Sequence, residues 1–512
     1  MQSRNIFLSL ALFFGVVFAP VAPARACTIA QPESASPAKV ETRIETDRWY
    51  ELWIDGSRAG WSHEVVSVEG DTIVTRSTMR MEIGRADQTV EISMESEFVE
   101  TLAGVPVEMR IEQRLGPTPI RTVYRFKEDG VEVIWTQNGV EREDTRPTPE
   151  GVWLPPAAAS RYVKQRLASG ATKITVRTLD PSNGLTVSAI TRSGITPSEV
   201  EVAGKITECL RATTRTVVGA TQMTGTEWLL ADGTPLRSEL AIGSMNMVTL
   251  ASSRQRAMEN FTPPELMVST FVRPDRRITN PRHKTRAVYR VRLSGDGELP
   301  ELPQSGFQRA EALDDGSTRV TIDTRTVILA PEADRAAHLV STTYANADDA
   351  LIVELTERAL AGAGDDPTRA AELLRRFVFD HIADKDLGTA FATASEVARS
   401  GQGDCSEHGV LLAAMLRAAD IPSRVAIGVV YVERFAGERH VFGYHMWTQA
   451  LLETANGPAW IDLDATLDRR TSFDATHIAM ATSDLAEGKT ISQLASIAPL
   501  LGALEIIIEE TR

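Results

Sequence analysis

From Trp49 to about Leu250 the apolar residues recur mostly at every second position, and a run that long with that period dictates sheet. Met79, Met81 and Ile83 alternate with Arg80 and Glu82, and Val90, Ile92 and Met94 alternate with Glu91, Ser93 and Glu95. Asp55-Gly56, Asp129-Gly130 and Asp232-Gly233 fall between apolar runs, where two-residue hairpin turns need them. The expectation for residues 45–260 is a long antiparallel meander, one large curved sheet or half-barrel, with a short helix near Ala157 to Leu167. It holds no nucleophile or metal spacing. Trp61 and His63 lie on strands and read as packing or surface residues, so the domain reads as support or recognition.

Beyond it the period changes. Residues 254–281 read as a connector whose basic cluster (Arg273, Arg276, Arg277, Arg282, Lys284) is a solvated face. Residues 281–330 read as a small β module. Helical signals follow: an Asp348 or Asp349 cap before Ala350 to Ala361, Asp366 before Pro367, and a Thr393-Ala394-Ser395-Glu396 capping box. Residues 345–470 form the next expected domain and 471–512 a tail, with Leu485 to Ala503 helical and Leu504 to Ile508 docking on the core or on a partner.

The chemistry gathers in that third region. Gly401-Gln402-Gly403-Asp404-Cys405 is a glycine-punctuated loop that runs into the apolar stretch Val410 to Ala419. Cys405 is therefore expected in the first turn of a buried helix, capped by Asp404 or Ser406, where the positive helix end favours thiolate. Tyr444-His445-Met446-Trp447 opens one strand and Trp460 to Thr466 another. Period two puts Asp462 and Asp464 on one face, so strand geometry leaves both open as the acid. A thiol, a base and a carboxylate are what nucleophilic acyl transfer requires. His440 lies in a charged loop and His408 three residues after the cysteine; a Cys405–His408 metal pair lacks a second pair at ligand spacing, so no metal or other cofactor is expected.

Gly-x-Cys at a helix start, then His-x-Trp, then Trp-x-x-x-Asp-x-Thr, over roughly residues 345 to 470, resembles the transglutaminase-like superfamily, a papain-like cysteine fold. Thr393 to Val397 and Ile421 to Val425 resemble its bacterial members, and Asp464-Ala465-Thr466 stands where the family often has Asp-Pro-Thr. The resemblance implies an α+β chain, with a papain-like core of helices and antiparallel sheet on the C-terminal side of mostly antiparallel β domains. It implies Cys405 as nucleophile, His445 as base and Asp464 rather than Asp462 as third member; Gln402 is the candidate oxyanion donor beside the Cys405 N–H. The implied activity is cleavage of peptide or protein amides through a thioester, with hydrolysis favoured over crosslinking. The alternative is a catalytically inactive fold kept as a cell-envelope scaffold.

Residues 1–26 read as a signal peptide: Arg4, an apolar core from Ile6 to Phe18, and Ala24-Arg25-Ala26 before Cys27. Residues 27–44 read as a linker. The expectation is export to a bacterial periplasm or cell envelope, by simple cleavage or with a lipid anchor on Cys27. No later run is long enough for a membrane span. A net charge of -15 without a basic patch argues against nucleic acid and leaves a peptide or protein as the expected partner. Three cysteines, Cys27, Cys209 and Cys405, are too few for a disulfide framework, and Cys209 reads as a buried inert thiol.

Overall fold

Asp55 and Gly56 both take positive φ, 46° and 77°, the backbone that a tight hairpin's twist demands. They join β1 (Thr42–Ile54) to β2 (Ser57–Glu69), the first of many local pairings. The computed structural model describes residues 42–137, 140–181, 184–219, 221–295, 299–385, 387–486 and 497–512. The segment read as signal peptide, Cys27 and nearly all of the linker lie outside the described residues.

Among the described residues fourteen strands make one antiparallel sheet. One arm runs from β1 through β2 and β3 (Thr72–Arg85) out to β8 (Val140–Arg146). The other runs from β14 (Met245–Ser252), which pairs with β1, out to β9 (Lys173–Leu179). Helix α1 (Pro156–Ala168) connects the two outer strands and packs Ala159, Val163 and Leu167 against Ile174, Val176 and Ile190. The alternation read in the sequence is the burial pattern: Met81, Ile83, Val90 and Ile92 all face a core.

A small sheet follows: β15 (Arg286–Leu293), β16 (Gln308–Ala312) and β17 (Thr318–Asp323), with β22 (Leu504–Thr511) on the free side of β15. The helices start where their caps require. Asp349 accepts from Leu351 N ahead of α3 (Ala350–Ala359), Asp366 from Thr368 N ahead of α4 (Pro367–His381), and Thr393 and Glu396 complete a capping box on α5 (Ala394–Ser400). Then come α6 (Cys405–Ala418) and a third sheet, in the order β20 (Gly457–Leu463), β19 (Val441–Thr454), β18 (Ser423–Val432), β21 (His477–Ser483). β18 is central and buried nearly throughout, as its unbroken apolar run requires.

Two sequence expectations differ from what the chain does. Residues 471–512 are not merely a tail: β21 pairs with β18 at the edge of the third sheet, and Leu504 to Ile508, expected to dock on the core or on a partner, dock on the core as part of β22, paired with β15. Most of the stretch read as the helix Leu485 to Ala503 lies outside the described residues; Ala498–Leu500 is a single 3-10 turn. Nor is the basic cluster wholly a solvated face. Arg276 bonds the Ile508 carbonyl and Arg282 runs inward to Asp474, at 2.6 Å. One apolar core joins Met81, Ile83 and Ile92 of the large sheet to α3, α4, α6 and the third sheet. No helix among the described residues is long and apolar enough to cross a membrane.

Candidate active site

Gly401 takes φ 62° and ends α5; Gly403 takes φ 147°. A Cβ on Gly403 would lie 2.3 Å from Cβ of Glu407, so only glycine lets Glu407 fold back over the loop. That fold-back completes a capping box: Asp404 accepts from Ser406 N at 2.8 Å, and Glu407 accepts from Asp404 N at 2.9 Å. The box fixes Cys405 as the first residue of α6, fully buried.

Helix α6 lies on β19. Gly409 permits the approach, since a Cβ there would stand 3.2 Å from Met446 Cγ, and Thr448 Oγ1 donates to Gly409 O at 2.9 Å. The backbone N–H of Met446 consequently reaches the Cys405 sulfur, which sets the thiol one residue from His445. The strands then bring in the acid. His445 Nε2 stands 2.9 Å from Asp464 Oδ2, just past the end of β20. Asp462 sits on the same face but serves other donors: Trp447 Nε1 at 2.8 Å, Gln449 Nε2 at 2.7 Å and Phe307 N at 3.0 Å.

The other candidates lie elsewhere. Gln402 is exposed and donates to Asp384 at 3.0 Å. His440 pairs with the Tyr431 hydroxyl at 3.1 Å. His408 is held between the Asp404 carbonyl, at 2.5 Å, and Lys385 Nζ, at 2.8 Å. Burial and the lysine push His408 down to about 3, and burial pushes Lys385 down to about 8.

A second histidine occupies the site. His477, the first residue of β21, places Nε2 3.1 Å from the same Asp464 Oδ2. Its Nδ1 stands 3.1 Å from Asp474 O and 3.4 Å from Asp474 Oδ1. Burial disfavours a charged imidazole, but the Asp474 charge and bonds to both carboxylates outweigh it and raise His477 to about 9. Burial alone would raise Asp464; the His445 and His477 imidazoles reverse that and hold it well below the carboxylate range. Asp474 is paired in turn with Arg282. The order from the partly exposed Arg282 inward is therefore Arg282, Asp474, His477, Asp464, His445, cation and anion by turns up to the last. Ligand atoms of His445, Asp464 and His477 lie within 4.8 Å of one another, close enough to surround a metal ion. Both nitrogens of His477 face carboxylate or carbonyl oxygens, however, so it is held as an imidazolium, which cannot ligate.

The sequence reading missed His477, although it contains a signal for it. Asp464-Ala465-Thr466 recurs ten positions later as Asp474-Ala475-Thr476. Both form one turn, the Asp Oδ1 accepting from the Thr N–H (2.8 and 2.9 Å) and from the Thr hydroxyl (2.7 and 2.5 Å).

The thiol itself departs from expectation. Burial and the Asp404 charge push Cys405 well above the usual thiol range, against the Met446 N–H and the Arg85 guanidinium, which favour thiolate. The helix end alone does not make a resting thiolate, because burial and then the carboxylate of its own cap oppose it.

Residues 354–465 match the transglutaminase-like superfamily, and this part of the chain is a transglutaminase-like domain. Among solved structures, the chain is similar to a β-barrel-like protein of a domain of unknown function from Brucella abortus, at 11% identity and TM-score 0.33, over 42% of this chain and 96% of that one. It is also similar to a proposed cysteine protease from Cytophaga hutchinsonii, at 13% identity and TM-score 0.26, over 43% and 80%. A proposed protease from Parabacteroides distasonis aligns at 13% identity and TM-score 0.18, over 76% and 63%. No curated protein matches the chain.

Proposed function

We propose that the transglutaminase-like domain of this chain is an exported cysteine hydrolase of peptide or protein amide bonds, with Cys405 as nucleophile, His445 as base and Asp464 as the residue that orients the base. The observation that carries the reading is the meeting of three remote segments: a thiol at the first position of α6, the Met446 N–H on its sulfur, and the 2.9 Å bond from His445 to Asp464.

His445 Nε2–H donates to Asp464, so Nδ1 is the nitrogen that exchanges a proton with the thiol. Because Cys405 rests as a neutral thiol, proton transfer to His445 accompanies attack on the carbonyl carbon. The C–S bond forms and the carbonyl electrons move to oxygen, to which the Cys405 N–H at the helix start can donate a hydrogen bond. The C–N bond then breaks and His445 returns its proton to the departing amine; water attacks the thioester with His445 accepting its proton, the C–S bond breaks, the carboxylic acid leaves and His445 gives that proton back to the Cys405 sulfur. Gln402 plays no part in this reading while its amide is bound to Asp384.

One observation favours the alternative of a non-catalytic envelope scaffold: Cys405 is fully buried and its thiol is pushed upward. Peptide-thioester trapping separates the two. The purified protein is incubated with amide and thioester peptide libraries, and acyl adducts on Cys405 are mapped by mass spectrometry. An adduct that disappears in His445→Ala supports the hydrolase. No adduct from any acyl donor would leave the scaffold.

A further inference from the structure

We propose that Arg85, delivered by the large sheet, is a positioning residue for Cys405: its guanidinium balances the Asp404 cap and pins the backbone at 387–389, so the nucleophile is competent only with the sheet docked. The proposal rests on the hydrolase reading above.

Arg85 is the last residue of β3 and is fully buried. Nη1 donates to the carbonyls of Leu387, at 2.9 Å, and Thr389, at 2.8 Å, and Nη2 donates to Asp404 Oδ2. The other oxygen of Asp404 already holds Ser406 N and the Ser406 hydroxyl. A turn of the same sheet, at residues 115–118, grips the chain beyond that point: Leu115 O accepts from Ala390 N and Phe391 N, both at 3.0 Å, and Thr118 N donates to Glu396 of α5. The large sheet thus holds the loop before the nucleophile and the cap beneath it.

The electrostatics follow from position. A full negative charge on the residue before Cys405 opposes a thiolate more strongly than the roughly half charge of a helix end favours it. Arg85 is the cation that meets this carboxylate. Among the described residues, other charged or titratable groups on the elements around the thiol include Glu407 and His408 on its own helix, Lys385 bonded to His408, and His445 with Asp464 behind it on the third sheet.

The test is the pH dependence of Cys405 alkylation by iodoacetamide, followed by peptide mapping so that Cys209 and Cys27 are counted apart. Arg85→Met should raise the midpoint by about one pH unit or more. Asp404→Asn should lower it, and the double variant, with neither charge buried, should return toward wild type. Arg85→Lys, which keeps the charge and loses the fork, should fall between wild type and Arg85→Met. Should Arg85→Met fail to fold, Asp404→Asn and the double variant still decide, since removing both charges spares the core a lone ion. An Asp404→Asn midpoint at or above wild type, or a double variant that stays at the Asp404→Asn midpoint, would overturn the proposal. A wild-type thiol indifferent to His445→Ala would instead overturn the hydrolase reading.

Discussion

Nε2 of His477 stands 3.1 Å from the Asp464 oxygen that also receives His445. Asp464 is thereby held from two sides, once by the residue it orients and once by an imidazolium that anchors it. His477→Gln should keep the fold and lower kcat roughly tenfold, equivalent to about 1.4 kcal/mol, with KM little changed. His477→Ala should lose more, since it leaves Asp464 and Asp474 facing each other. Steady-state kinetics on a trapped peptide substrate measure both.

Stability should depend on pH through the same residue. His477 is raised from about 6.5 unfolded to about 9 folded, so its contribution is complete below pH 6.5 and lost as pH rises through 9. Its size is about 3 kcal/mol. Urea unfolding between pH 6 and pH 9.5 should show this decline, and His477→Gln should flatten it.

The two acids of β20 should separate cleanly. Asp464→Asn removes the charge opposite His445 and should cost on the order of ten-thousandfold in kcat, by analogy with other triads. Asp462 instead accepts three N–H groups, from Trp447, Gln449 and Phe307. Asp462→Asn should lower stability by about 1–3 kcal/mol and leave kcat within a few-fold.

Gly428 is a geometric test of β21. A Cβ on it would lie 1.9 Å from the Ile478 carbonyl, which is backbone and cannot swing aside. Gly428→Ala should part β18 from β21, shift His477, and lower both the melting temperature and kcat, although residue 428 makes no contact with substrate in the proposed mechanism. A loss of stability of about 1–3 kcal/mol is expected.

The parts that could be read from the chain are those fixed by near neighbours. Asp366-Pro367, the Thr393 box and the Asp404 box place their helix starts because each cap involves residues within three positions. Period two revealed the large sheet because one face of each strand is buried. The resemblance pointed to Asp464 where strand geometry left Asp462 open; in the fold Asp464 is the one that meets His445, because it stands past the end of β20 where the chain turns toward His477.

Remote pairings were harder to see. Arg85 and Asp404 are 319 positions apart. Yet Met81, Ile83 and Arg85 share one strand face, and the first two are core residues. A cation at the next inward position had to be buried with a partner. The thiolate expectation failed for a related reason: it counted the helix dipole but not the charge on the cap or the loss of water. β21 and β22 stayed hidden because their partners, β18 and β15, lie far back in the chain and no turn signal links them.

Almost all pairings in the large sheet join strands that follow one another, and the exception is β1 against β14. Each arm can zip from hairpin to hairpin, so the slow search for a distant partner is confined to a single seam. The exposed bend around Val152 lies between the two outer edges, far along the chain from that seam. A nick there would cut the sheet's polypeptide without cutting its hydrogen-bonded continuity, and the arm that carries Arg85 would remain clasped to the other half.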